Sequence, residues 1–137
     1  MNIAIVTGAS SGLGREYVRL LDEQSVEEIW LISRHQEKLE ETAHALKTNS
    51  RILPLDLQKP ASYTSFATAL RQEQPVVSYF IHAAGYGRMG RAAAMTEADT
   101  SGMIAVHCQA AVSLTKAVIP YCQQGSHIVE ICSCACL

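Results

Sequence analysis

The sequence lacks a surplus of positive charge. Eleven lysines and arginines stand against 13 aspartates and glutamates, a formal charge of −2, with a pI near 6.2. No basic block is present to follow a run of phosphates, so nucleic acid is not an expected partner. Charged residues are only 18% and aromatics 6%, against 48% hydrophobic residues, and the mean hydropathy is +0.08. That balance belongs to a folded domain rather than a disordered tail or a fibre. The first residues, Met1 to Val6, lack the basic start and long apolar stretch of a signal peptide. No apolar run approaches the ~20 residues of a membrane span, so no membrane partner is expected. A paired cysteine framework is also missing. The five cysteines, at 108, 122, 132, 134 and 136, are odd in number and crowd toward one end, which points to a reducing cytoplasm. Cys132, Cys134 and Cys136 alternate instead of showing Cys-x-x-Cys spacing, so no metal site is expected. The ending Cys134-Ala135-Cys136-Leu137 has the form of a C-a-a-X box, but Cys136 takes an aliphatic place and no polybasic lead-in precedes it, which favours coincidence.

A chain of 137 residues suits one domain with one core, residues 1–137, and leaves no room for two. Along it, short apolar runs alternate with stretches of helical spacing. Ile3 to Val6, Ile29 to Ser33, Arg51 to Leu55, Val76 to His82 and His127 to Cys132 each suit a buried strand. Between them, Tyr17, Leu20 and Leu21, then Leu39, Ala43 and Leu46, then Phe66, Ala69 and Leu70 mark helical faces. Pro60 suits the first turn of the third helix. Thr96 with Asp99 resembles a capping box that opens a long fourth, with Met103, Val106, Ala110, Leu114 and Ala117 on its apolar face. Right-handed crossovers between such strands predict an α/β fold: a Rossmann-like three-layer α/β/α sandwich on a parallel sheet of about five strands, in the order 3-2-1-4-5.

Thr7-Gly8-Ala9-Ser10-Ser11-Gly12-Leu13-Gly14 joins the first strand to the first helix. Gly8 permits a tight turn, Gly12 lets backbone approach a pyrophosphate and Gly14 lets helix and strand pack closely. With Ser10, Ser11 and Leu13 at a helix start, whose free N–H groups carry partial positive charge, the segment is expected to seat a dinucleotide. A glycine turn without a ligand is the alternative; the strand before it and the helix after it favour the site. The glycine-rich loop Tyr86 to Arg91 follows the fourth strand, where ligands also gather in open parallel sheets.

The pattern Thr-Gly-x-x-x-Gly-x-Gly resembles the signature of the short-chain dehydrogenases/reductases, and the similarity runs along essentially the whole chain. Asp56-Leu57 looks like the family's adenine-binding pair, Ala83-Ala84-Gly85 like the end of its Asn-Asn-Ala-Gly element, and Gly125 to Ser133 like the strand leading to its catalytic serine. The resemblance implies hydride transfer between a nicotinamide cofactor and a small carbonyl or alcohol, with Ser133 polarising the carbonyl. Strand two ends in Ile32-Ser33-Arg34, with no carboxylate for a ribose 2′-hydroxyl. Arg34 is able to meet a 2′-phosphate, so NADP(H) is expected over NAD(H); a solvated strand-end charge is the alternative.

The resemblance also has gaps. The family's tyrosine acid is followed four residues later by a lysine, whereas Tyr17, Tyr63, Tyr79, Tyr86 and Tyr121 are followed at that spacing by Leu21, Ala67, Ala83, Gly90 and Gly125. The chain is therefore expected to be the amino-terminal, cofactor-binding portion, truncated after strand five and inactive alone. A non-catalytic nucleotide-binding or self-associating module is the alternative. His107 stands where the family usually has a relay asparagine, and His82-Ala83 where it has Asn-Asn. A modified proton relay through His107 is conceivable, with hydrogen-bonded structural replacement the favoured reading. An uncovered sheet edge and the apolar face of the long helix predict a homodimer, edge to edge or helix to helix.

Overall fold

Ile3, Ala4, Ile5 and Val6 are all fully buried, which a strand achieves only when both faces of its sheet are covered. They form β1 (Asn2–Thr7), the centre of a five-stranded sheet with β2 (Glu28–Ser33), β3 (Asn49–Pro54), β4 (Val76–His82) and β5 (His127–Glu130). The order is β3-β2-β1-β4-β5, as the sequence predicts, and all four pairings are parallel. The computed structural model describes residues 1–132; the expected serine, Ser133, lies outside the described residues.

Alternate residues of each strand serve opposite layers. Ile3, Ile5, Trp30, Ile32, Val77 and Phe80 meet Phe66 and Leu70 of α3 (Pro60–Glu73) and Leu114 and Val118 of a later helix. On the other face, Ala4, Val6, Ile29, Leu31 and Ile81 pack on Val18 and Leu21 of α1 (Gly12–Leu21) and Leu39 of α2 (Gln36–His44). The result is a Rossmann-like three-layer sandwich. Pro60 occupies the first turn of α3, and the Thr96 side chain accepts a hydrogen bond from the Asp99 N–H at the start of α4 (Glu97–Ile104), both as the sequence suggests.

The long fourth helix differs from expectation. It is α4, then a π-turn at Ala105–Gln109, then α5 (Ala110–Val118) and a 3₁₀ turn at Ile119–Tyr121. The break arises because the Ala110 N–H bonds to Ala105 O, five residues back. The whole helical run, Glu97–Tyr121, has a mean hydropathy of 1.4 and by length and composition alone is long and apolar enough to cross a bilayer. Counting uninterrupted apolar runs misses it, because Thr100, Ser101, His107, Gln109 and Ser113 are interspersed. Val106, Ala110, Leu114 and Val118 are nevertheless part of the sheet core. At the far edge β5 covers four residues, shorter than its apolar run, although the Ile131 N–H still reaches His82 O at 3.0 Å.

Phe66 is fully buried between α3 and the sheet. Phe66→Ala is expected to cost about 3–5 kcal/mol through lost burial and a residual cavity, read as a shift in the urea unfolding midpoint.

Candidate functional site

The carboxyl ends of β1 to β4 converge on one side of the sheet, at the place where strand order reverses around β1. In open parallel sheets that crevice is where ligands bind. Thr7 closes β1, and the chain turns through Gly8 (φ 68°) and Gly12 (φ 54°) into α1. Gly8 lies so close to the end of β4 that an added Cβ would sit 2.9 Å from Ala83 C, Ala83 O and Ala84 N. At Gly14 a Cβ would run into the Gly8 carbonyl, so the helix start is pressed onto the turn. At Gly12, by contrast, an added Cβ would meet nothing within 4 Å. Ser11 makes no side-chain cap and the first turn of α1 holds no acid, so no N-cap side chain takes up its leading amide donors.

Beneath the turn lies a buried polar node. Thr7 Oγ1 receives the N–H groups of Ala83 at 3.1 Å and Ala84 at 3.0 Å, and it lies 2.9 Å from His82 Nδ1. Two accepted bonds fill the lone pairs of the hydroxyl, so its proton goes to Nδ1. That leaves Nε2–H to donate to Val106 O at 3.1 Å. His82 is 2% exposed. Burial holds its pKa below the ordinary histidine value, and His107 pushes the same way; the Val106 carbonyl and Glu130 oppose them. The unfolded chain therefore takes up this proton more readily than the folded one. The stability from this group is fully present above about pH 6.5, the unfolded pKa, and is lost as pH falls toward the folded value.

A cleft of about 210 Å³ opens above the turn. Of the residues singled out in the sequence, Gly8, Ser10, Ser11, Arg34, Asp56, Leu57, Ala84 and Gly85 line it; Gly12, Leu13, Gly14, Ala83 and His107 do not. Gly14 and Ala83 instead pack the turn from below. Lys38, His35, Ser33, Leu55, Gln58 and Val106 also line the cleft and escaped the sequence reading, whereas Tyr86, likewise in the lining, opens the glycine-rich loop that the sequence marks. For Lys38 a signal existed: it follows Arg34 by four residues, in the first turn of α2, so both cations belong to the β2 end. Arg34 is exposed and is shared with a second, outer cleft of about 420 Å³ that Tyr86, Arg88 and Asp99 also line. Asp56 Oδ1 accepts the Gln58 N–H at 3.0 Å. Tyr63 donates its phenol to Leu57 O at 2.7 Å, and burial, with the nearby Asp56 charge, raises its pKa and keeps that proton in place.

His107 sits in the π-turn. Its Nε2 lies 2.8 Å from Tyr86 O and 3.1 Å from Tyr86 N, so in either tautomer the ring grips the backbone of the same residue. A Cβ at Gly85 would collide with that ring. His107 thus bonds directly to the segment that follows β4, whereas His82 reaches it only through the Thr7 hydroxyl. Among the described residues no group of His, Cys, Asp and Glu is arranged to hold a metal ion, and Cys108, Cys122 and Cys132 are free.

A family profile described as short chain dehydrogenase matches residues 2–137. An uncharacterized oxidoreductase of Staphylococcus epidermidis is 25% identical over 133 residues, 96% of this chain and 57% of that protein. A very-long-chain 3-oxoacyl-CoA reductase of Yarrowia lipolytica is 30% identical over 85% of this chain and 32% of its own length. Among solved structures, a metagenomic short-chain oxidoreductase in complex with NADP superposes with a TM-score of 0.84 at 27% identity, covering 98% of this chain and 63% of that one. A short-chain dehydrogenase of Sphingobium yanoikuyae in complex with NADPH gives 0.79 at 25% identity, covering 88% and 48%. The chain thus spans little more than half the length of the Staphylococcus relative.

Thr7→Val keeps the shape but removes the acceptor of two amides and the donor to His82. Urea unfolding near neutral pH is expected to show a loss of about 2–3 kcal/mol. The wild-type protein's stability should fall as pH drops below about 6.5, and the variant should lose less of it.

Proposed function

The chain belongs to the short-chain dehydrogenase family, and on that premise we propose that it is the dinucleotide-binding portion of an NADP(H)-dependent oxidoreductase. The observation that carries the reading is one cleft in which Gly8, Ser10 and Ser11 of the turn leading into α1 meet Arg34, with no carboxylate at the end of β2. The cradle fits such a ligand. Gly8 and Gly14 leave no room for side chains, while Gly12 faces open space wide enough for a phosphate to approach.

The amides of residues 10 to 14, with the Ser10 and Ser11 hydroxyls, would hold the diphosphate. Arg34, with Lys38 beside it, would hold a 2′-phosphate. Asp56 and Leu57, across from Ala84 and Gly85, would take the adenine, the carboxylate accepting from its exocyclic amine. A fork of guanidinium donors suits a phosphate monoester, and the missing carboxylate removes the group that would favour a 2′-hydroxyl. Two of the solved relatives carry NADP and NADPH, in keeping with that preference. When bound, the nicotinamide supplies the hydride. In the whole protein the acceptor or donor is a small carbonyl or alcohol, with Ser133 polarising the oxygen. His107, tied to Tyr86, holds the segment after β4 in place rather than carrying a proton. Free thiols and this cofactor suit a reducing cytoplasm. Val106, Ala110 and Leu114, on the helical face expected from the sequence to pair, are instead buried against the sheet; Ile104, Val112 and Ile119 of the α4–α5 run are more than half exposed, which supports pairing with a second copy through these residues.

Titration followed by nicotinamide fluorescence tests the cofactor. NADPH should bind, Arg34→Ala should weaken it by about 10- to 100-fold while leaving NADH unchanged, and Gly12→Val should abolish binding. If neither nucleotide binds the wild-type chain, the reading fails. For the assembly, light scattering should return the mass of two chains; a monomer at all concentrations removes the dimer.

A further inference from the structure

Three backbone elements meet on the imidazole of His82: the end of β1 through Thr7, the end of β4, and the π-turn through Val106. The π-turn is what makes the third contact available. An α-helical Ala110 N–H would bond to Val106 O; here it goes to Ala105 O, and the released carbonyl takes His82 Nε2–H at 3.1 Å. On the other side of the ring, Thr7 Oγ1 holds the amides of Ala83 and Ala84. Gly8, the first residue of the glycine turn, rests on those same two peptides at van der Waals limits. One ring therefore underpins the surface on which the turn is seated, and its hydrogen-bond count admits a single protonation state. Thr7 Oγ1, already accepting twice, has no lone pair left for an Nδ1–H.

We propose that His82 is a positioning residue for the dinucleotide. As a neutral Nε2–H imidazole it holds the Ala83–Ala84 peptides beneath the Gly8–Gly14 turn, and a second proton on Nδ1 unseats the turn and weakens dinucleotide binding. This rests on the cofactor reading above. The charged groups around the ring fit the role. Glu130, opposite His82 in the β4–β5 register, favours the extra proton; its carboxylate is also engaged by Thr115 Oγ1 at 2.6 Å. His107 in the π-turn disfavours that proton, and Thr7 and Val106, the direct partners, carry no charge. Burial outweighs Glu130, so the ring is neutral near pH 7 and takes its second proton only below the ordinary histidine range.

NADPH affinity is to be measured by calorimetry at about pH 8 and about pH 5.5 for the wild-type chain and for His82→Asn, whose folding is checked by circular dichroism. Every other titratable group is common to both proteins, so the difference between them reports His82. Wild-type affinity should fall about tenfold more than that of the variant over this interval. Equal pH dependence in the two proteins overturns the proposal while leaving the cofactor reading intact; no NADPH binding by the wild-type chain at either pH removes both. Nitrogen-15 NMR of the unliganded wild-type chain gives a second readout that needs neither variant nor cofactor. The His82 ring should be the Nε2–H tautomer near neutrality, and the Ala83 and Ala84 amide signals should shift with the ring's own midpoint. An Nδ1–H tautomer, or amides that ignore the ring, overturns the proposal even if the variant fails to fold.

Discussion

One hydroxyl group sets the geometry on which the cleft depends. Thr7 Oγ1 is fully buried at the junction of the two central strands, where β4 has stopped pairing and its next two amides need acceptors. A buried backbone donor without a partner costs about as much as a lost hydrogen bond. Thr7 meets that demand twice, and the proton it must then place falls on His82. The end of β1, the end of β4 and the middle of the fourth helical run are tied together by this arithmetic of donors and lone pairs. The glycine turn is laid directly on top, with no side-chain volume between.

Electrostatics above the turn are divided between two sides. The β2 end brings Arg34, His35 and Lys38, while the β3 end brings Asp56, with one oxygen committed to the Gln58 amide. Gly8, Ser10 and Ser11 of the turn line the same cleft, and the first turn of α1 that follows holds no acid. A molecule with phosphates at one end and an amine-bearing ring at the other matches that distribution better than an anion or an apolar ligand alone would. The π-turn completes the wall by aiming Val106 into the cleft while its carbonyl faces away toward His82.

The two histidines are among the places where this chain departs from the family pattern, and both departures bear on one short segment, residues 83 to 86. His82 holds it from below through Thr7; His107 holds it from the side through the Tyr86 backbone, in contact with Gly85. An imidazole reaches farther than a carboxamide and offers its two nitrogens in opposite directions, which lets each ring bridge elements that are separate in sequence. The cost is a dependence on protonation that a carboxamide does not have.

Much of the molecule was legible in the residues alone, because the relevant signals are local. Unbroken apolar runs such as Ile29 to Ile32 announce strands covered on both faces, Pro60 and Thr96 mark helix starts, and the alternation of strand and helix leaves few topologies open. Eight of the residues singled out do line the cleft, since turn chemistry and strand-end position are written in short stretches of chain. Other features were not legible, because they depend on contacts across many residues. The π-turn within Glu97–Tyr121 looks like continuous helix in sequence. Lys38 and Val106 reach the cleft only through the packing of α2 and the helical run against the sheet. The protonation state of His82 follows from a hydroxyl 75 residues away. Sequence determined which elements form and in what order; the tertiary structure decided which polar atoms share a buried space, and burial leaves each of those atoms only the partners the fold brings to it.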